Sequence, residues 1–141
     1  MEQSQPLFAF EHVHVACKDP GAMERFFVDI LGGRLVTKRT TNGFLNVEIA
    51  VAGALVFLRL LREGERIAER PQETGNLDHV GFRVRDIDEA LRHLSQAGCR
   101  IVEGPVDWRD DLAFAYVEGP EGLIIELLDR RPRRERDATK V

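Results

Sequence analysis

Two long stretches of the chain alternate between apolar and polar positions at the strand period, and each follows a shorter stretch at the helical period. Apolar Ala22, Phe26, Phe27 and Ile30 recur at helical spacing, as do Ile87, Ala90, Leu91 and Leu94. Helices are therefore expected over Pro20–Leu31 and Ile87–Ala97, closed by Gly32-Gly33 and Gly98, because glycine accepts the left-handed C-terminal conformation. Asp19 and Asp86 precede them as N-caps. Strands are expected over Arg34–Thr40, Gly43–Val51 and Ala54–Leu61, then over Arg100–Glu103, Leu112–Glu118 and Leu123–Leu128. Thr41-Asn42-Gly43, Ala52-Gly53 and Gly119-Pro120-Glu121-Gly122 carry turn chemistry.

The two stretches are copies of one unit. His12-Val13 through Asp19 superimposes on His79-Val80 through Asp86 at a constant offset of 67 residues. Each copy reads β-α-β-β-β, so the fold class is α+β with two tandem βαβββ units. A single domain is expected over residues 1–129. Within it lie a first unit over 7–61, a linker over 62–76 rich in Glu, Arg, Pro and Gly, and a second unit over 77–129. Residues 130–141 read as a basic, frayed tail.

Composition narrows the function classes. At 43% hydrophobic residues the chain can build a core. The tail carries six basic and two acidic residues against a net −4 for the chain, which leaves −8 on residues 1–129. An acidic body excludes a nucleic-acid footprint over the fold. No apolar run approaches the roughly 20 residues that span a bilayer. Residues 1–8 lack the basic start and apolar core of a secretory leader. Cys17 and Cys99 have no metal-knuckle spacing and read as reduced thiols. A cytoplasmic protein that meets neither nucleic acid nor membrane is expected.

One residue is out of character with its surroundings. Glu126 interrupts the apolar run Leu123-Ile124-Ile125-Glu126-Leu127-Leu128. A carboxylate in a buried strand is costly unless paired or bound to a metal. Three readings remain at this point: an edge strand that turns Glu126 to solvent, a pairing with arginine, or metal ligation. His12 and His79 stand at matching repeat positions, and each taken alone reads better as a half-buried histidine hydrogen-bonded to backbone.

The segments Leu77-Asp78-His79-Val80-Gly81-Phe82-Arg83-Val84-Arg85-Asp86 and Gly119-Pro120-Glu121-Gly122-Leu123-Ile124-Ile125-Glu126-Leu127 resemble the vicinal oxygen chelate superfamily. That superfamily includes glyoxalase I, methylmalonyl-CoA epimerase, extradiol dioxygenases and bleomycin-resistance proteins. The resemblance covers about residues 8–128. It implies a cup-shaped mixed sheet around a metal held by His12, His79 and Glu126. It also implies one divalent ion (Fe, Mn, Co, Ni or Zn) and a small substrate that chelates through vicinal oxygens, in a cup formed within one chain or across a dimer; a homodimer is expected. Aligning Gly53 with Gly122 puts Phe57 where Glu126 stands. Glyoxalase I and the epimerase place a ligand there, which Phe57 cannot supply. The remaining two-histidine, one-carboxylate set is also that of non-haem iron oxygenases.

Further candidates follow from face and family. His14 shares a strand face with His12 and reads as a proton carrier or a wall of the pocket. Glu48, in a largely apolar strand, resembles the base glutamate of some epimerases; its other reading is a solvent-facing residue. Phe57, Arg59, Trp108 and Tyr116 are expected to contact substrate, with Arg59 pairing either Glu126 or a substrate anion. Asp107, Arg109, Asp110 and Asp111 read as a solvated loop. The leading expectation is a metal-dependent lyase, isomerase or epimerase. An Fe(II) or Mn(II) ring-cleaving dioxygenase is the alternative, and a drug-sequestering resistance protein the third reading.

Overall fold

The computed structural model describes residue 7 and residues 9–67 and 77–140. The chain divides into two compact units, with the boundary between Glu65 and Arg66. Of the expected linker, residues 68–76 lie outside the described residues.

The first unit runs β1 (His12–Cys17), α1 (Pro20–Arg25), β2 (Arg34–Thr41), β3 (Phe44–Val51) and β4 (Ala54–Leu60). Its sheet has the order β1-β4-β3-β2, with β1 parallel to β4 and the other pairs antiparallel. Two-residue turns make the hairpins. Asn42-Gly43 and Ala52-Gly53 all take positive φ, as the tight turn that matches strand twist requires. Val47, Ile49, Val51, Val56 and Leu58 bury one face against α1 and the turn that follows it.

The helical stretch is not uniform. Asp19 caps it by accepting the Ala22 N–H at 2.9 Å. Beyond Arg25 the chain winds into a wider π turn over Phe26–Ile30, where the Leu31 N–H reaches the Phe26 carbonyl at 3.0 Å. Consecutive Phe26 and Phe27 are both buried there. Gly33 is then obligatory, because a Cβ on it would stand 2.6 Å from the Phe27 carbonyl oxygen.

The second unit repeats the plan with β5 (Val80–Arg83), α2 (Ile87–Gln96), β6 (Arg100–Arg109), β7 (Leu112–Glu118) and β8 (Ile124–Asp129). Its sheet order is β5-β8-β7-β6, with β5 parallel to β8. Asp86 caps α2 through the Glu89 N–H at 3.0 Å. Ile87, Leu91 and Leu94 pack with Ala113, Ala115, Val117, Ile125 and Leu127. The molecule is thus α+β, built from two βαβββ units.

Two expectations are corrected. The strand from Arg100 does not stop at Glu103; β6 continues through Gly104-Pro105 to Arg109, so Asp107 and Arg109 lie in a strand and not in a loop. Pro105 is tolerated because β6 is an edge, where a missing N–H breaks no interior ladder, and the ladder to β7 is bulged at three places. The tail is not frayed either. It continues into α3 (Arg133–Ala138), and Arg136 is 2% exposed. Its guanidinium donates to Asp107 Oδ1 at 2.8 and 3.2 Å and to the carbonyls of Arg109, Asp110 and Arg131. Among the described residues no helix is long and apolar enough to cross a membrane.

Candidate functional site

Strand alternation sorts β8 into two sets. Ile125, Leu127 and Asp129 are buried beneath α2, which turns Ile124, Glu126 and Leu128 to the opposite, open face. β8 lies between β5 and β7, so Glu126 is on an interior strand and not an edge. Its neighbours in the ladder are Gly81 on one side and Tyr116 on the other.

The carboxylate of Glu126 is held from both sides. His79 Nε2 lies 3.0 Å from Oε2, with the two side chains 30% and 17% exposed. The Tyr116 hydroxyl donates to Oε1 at 3.0 Å. His79 Nδ1 in turn meets Asp78 Oδ2 at 2.8 Å. The result is a chain Asp78–His79–Glu126–Tyr116. The Tyr116 hydroxyl is pushed above its ordinary pKa by burial, then by its bond to Glu126 and the charges of Glu126, Asp78 and Glu103. Glu126 therefore pairs with histidine and tyrosine rather than arginine.

The corresponding face of the first unit carries different chemistry. Phe57 occupies the place of Glu126, flanked by His14 and Glu48 in the ladder. The His12 ring stacks on Phe57 with centroids 3.9 Å apart and planes 10° apart. His14 meets the same ring edge-on at 5.8 Å. Glu11 closes on His12 Nδ1. His14 is held below the ordinary imidazole pKa by burial first, then by the charges of His12, Arg59 and Arg62. Glu48 accepts from Arg39 and Asn46, both at 3.3 Å.

Arg59 is engaged within its own unit. Its fork is taken by Glu65, with Nη1 to Oε2 at 2.5 Å and Nη2 to Oε1 at 3.1 Å. The Arg62 N–H adds a third bond to that carboxylate at 2.9 Å. These hold Glu65 at a pKa of about 2, the Arg59 hydrogen bond contributing most. Trp108 is 67% exposed on β6. Its ring lies 6.0 Å from Phe114, which lies 5.7 Å from Tyr116, so three aromatic rings line up on the open face of the second unit.

Of the expected metal ligands, the structure brings His79 and Glu126 together within one unit, while His12 belongs to the other. Among the described residues no group of three or more His, Cys, Asp or Glu side chains is gathered as a metal cage. The donor chemistry of the pair nevertheless fits a divalent ion. Imidazole and carboxylate are standard donors, and ligating histidines usually give their second ring nitrogen to a carboxylate. Asp78 does this for His79 and Glu11 for His12. Sequence reasoning missed both carboxylates, although they obey the same 67-residue offset as the histidines. It also missed Phe114 and Glu65. Glu65 had no signal, since its role depends on the turn after β4.

Comparison with known proteins follows the same line. The family described as Glyoxalase/Bleomycin resistance protein/Dioxygenase superfamily matches residues 9–127. The uncharacterized protein YaeR of Escherichia coli (strain K12) is 28% identical over 122 residues, which cover 84% of this chain and 94% of that protein. Virulence protein STM3117 of Salmonella typhimurium is 28% identical over 120 residues, covering 83% and 81%. A glyoxalase family protein from Bacillus cereus superimposes with a TM-score of 0.76 at 18% identity, over 93% of this chain and 99% of its own. The fosfomycin resistance protein FosX of Listeria monocytogenes, complexed with Mn(II) and sulfate, superimposes at 0.65 with 14% identity, over 86% and 91%.

Proposed function

The chain belongs to the Glyoxalase/Bleomycin resistance protein/Dioxygenase superfamily, and from that premise we propose that it is a metal-dependent lyase, isomerase or epimerase acting on a small molecule with two neighbouring oxygens. The observation that carries this reading is the His79–Glu126 contact on the open face of the second unit, backed by Asp78 and Tyr116.

His12, His79 and Glu126 would hold one divalent ion. When bound, such an ion supplies Lewis acidity to a chelated carbonyl. The protein's own groups do the rest. A carboxylate on Nδ1 fixes each imidazole in the tautomer whose Nε2 lone pair is free to ligate; Asp78 and Glu11 supply it. Tyr116 aims the carboxylate of Glu126 by holding Oε1. Glu48, braced by Arg39 and Asn46, would take and return a proton beside the substrate carbonyl. His14, on the other side of Phe57 from Glu48, is a second proton acceptor on the same face.

The test is elemental analysis of freshly purified protein and of the His12→Ala, His79→Ala and Glu126→Gln variants. Close to one divalent ion per chain, lost in all three variants, is the expected result. No metal in the wild type after reconstitution with Mn, Fe, Co, Ni or Zn salts overturns the reading and leaves a metal-free binding protein. Glu126→Gln also separates catalysis from sequestration, because turnover would collapse while simple ligand capture would survive. Phe57 in the fourth ligand position supports a second reading, a ring-cleaving dioxygenase with the two-histidine, one-carboxylate set. Oxygen consumption with catechol by the Fe(II)-loaded protein tests it.

A further inference from the structure

The first unit holds a feature that metal ligation leaves unused. A cavity of about 560 Å³ opens beside the ends of β3 and β4, within the roughly 300–1,000 Å³ range of small-molecule sites. Its apolar side includes Phe44 and Leu60, which are 61% and 50% exposed. Its polar side includes Asn46, Arg59, Arg62 and Glu63.

The two guanidinium groups are in different states. Arg59 is spent on Glu65, which takes its fork in two bonds and so neutralises its charge and fixes its position. Arg62 hydrogen-bonds Glu65 through its backbone N–H alone, and its side-chain charge acts on that carboxylate through space. Its side chain lies over the Phe44 ring, 5.7 Å from the centroid, and among the described residues it enters no ion pair. A cation–π contact draws on the charge of a guanidinium and takes none of its N–H groups into a hydrogen bond, so they remain donors for an oxyanion. Such a cation at the edge of an apolar-walled cavity suits a ligand with an apolar body and an anionic end. Glu63 is the nearest opposing charge in sequence, and it is exposed to water, where screening limits its effect.

We propose that this cavity is a substrate subsite, in which Arg62 takes the carboxylate or phosphonate end of a small ligand while the ligand's apolar body covers Phe44 and Leu60. Asn46, whose Nδ2 gives one N–H to Glu48 at 3.3 Å, stands at the same wall with its second N–H. Calling the ligand a substrate rests on the functional reading above; the anion contact itself does not need the metal.

The experiment is isothermal titration of the chelator-stripped full-length protein with benzoate, phenylphosphonate and uncharged benzamide. One or both anions should bind more tightly than benzamide, and the preferred anion identifies the ligand's end group. Arg62→Ala should weaken the anions about ten- to a hundredfold and leave benzamide unchanged. Arg62→Lys, which keeps the charge and loses the planar fork, should fall between. Glu63→Gln should tighten anion binding at low salt. Equal binding of all three probes, or unchanged anion affinity in Arg62→Ala with native circular dichroism, overturns the proposal. Failure of the metal reading is seen separately, as absence of metal from wild type whatever the anion affinities.

Discussion

At the scale of single residues, the repeat carries more than its histidines. Glu11 and Asp78 precede His12 and His79 at one offset and each meets the Nδ1 of its neighbour. Such outer partners commonly tune metal affinity by ten- to a hundredfold. Asp78→Asn and Tyr116→Phe are therefore each expected to weaken divalent-metal binding by about tenfold or more, read by competition with a chelator, with little change in melting temperature. A large loss of stability with unchanged metal affinity would show that the chain from Asp78 to Tyr116 is structural only. Arg59 illustrates the opposite case. Its expected partner was Glu126 or a substrate, and its actual partner is Glu65, six residues on in sequence.

At the scale of elements, two close contacts set the strongest expectations. Gly33 sits where the helical stretch returns to the sheet, with Ile49 Cγ2 and the Ala50 carbonyl also within 3.2 Å of a built Cβ. Gly33→Ala is expected to cost about 1–3 kcal/mol, measured as a lowered urea midpoint. The α3 anchor is a buried charge held by Asp107 and three carbonyls. Removing one partner of a buried pair typically costs about 3–5 kcal/mol. Asp107 is 30% exposed, so Arg136→Ala is expected at or below the lower end. A smaller coupling to Asp107→Asn in a double-mutant cycle would place most of the effect in the carbonyl contacts. Periodicity alone could not have revealed this anchor, because a run of arginines reads as solvated until the strand that receives it is known.

At the scale of the whole molecule, acid sensitivity follows from three carboxylates of the second unit. Asp86 is held below the usual carboxylate range by the Glu89 N–H first, against burial and with Arg131. Asp107 is lowered first by its bond to Arg136. Burial pushes Asp129 up, but the side chain and N–H of Arg131 and the N–H of Ile87 together outweigh it and leave its pKa low. A carboxyl whose folded pKa is depressed contributes its full stability above the unfolded value of about 4 and loses it as pH falls through the folded value. The contribution of these carboxylates to the urea midpoint is thus expected to hold from pH 7 down to about 4 and to fall below that. Asp107→Asn should be less stable than wild type at pH 7 and should lose less stability on acidification. The expected homodimer is read by sedimentation equilibrium, as twice the chain mass.

The sequence by itself determined the duplicated βαβββ order, the caps at Asp19 and Asp86, the tight turns at Asn42-Gly43 and Ala52-Gly53, and the correspondence of Phe57 with Glu126. Each of these depends on residues a few positions apart or on a repeat offset, and both can be read along a line. Only the tertiary structure decided that Glu126 meets His79 and Tyr116, that β6 runs on through Pro105 as an edge, and that Arg136 is buried against Asp107. Those outcomes depend on which strands become neighbours, and strand neighbours are chosen by the packing of residues tens of positions apart.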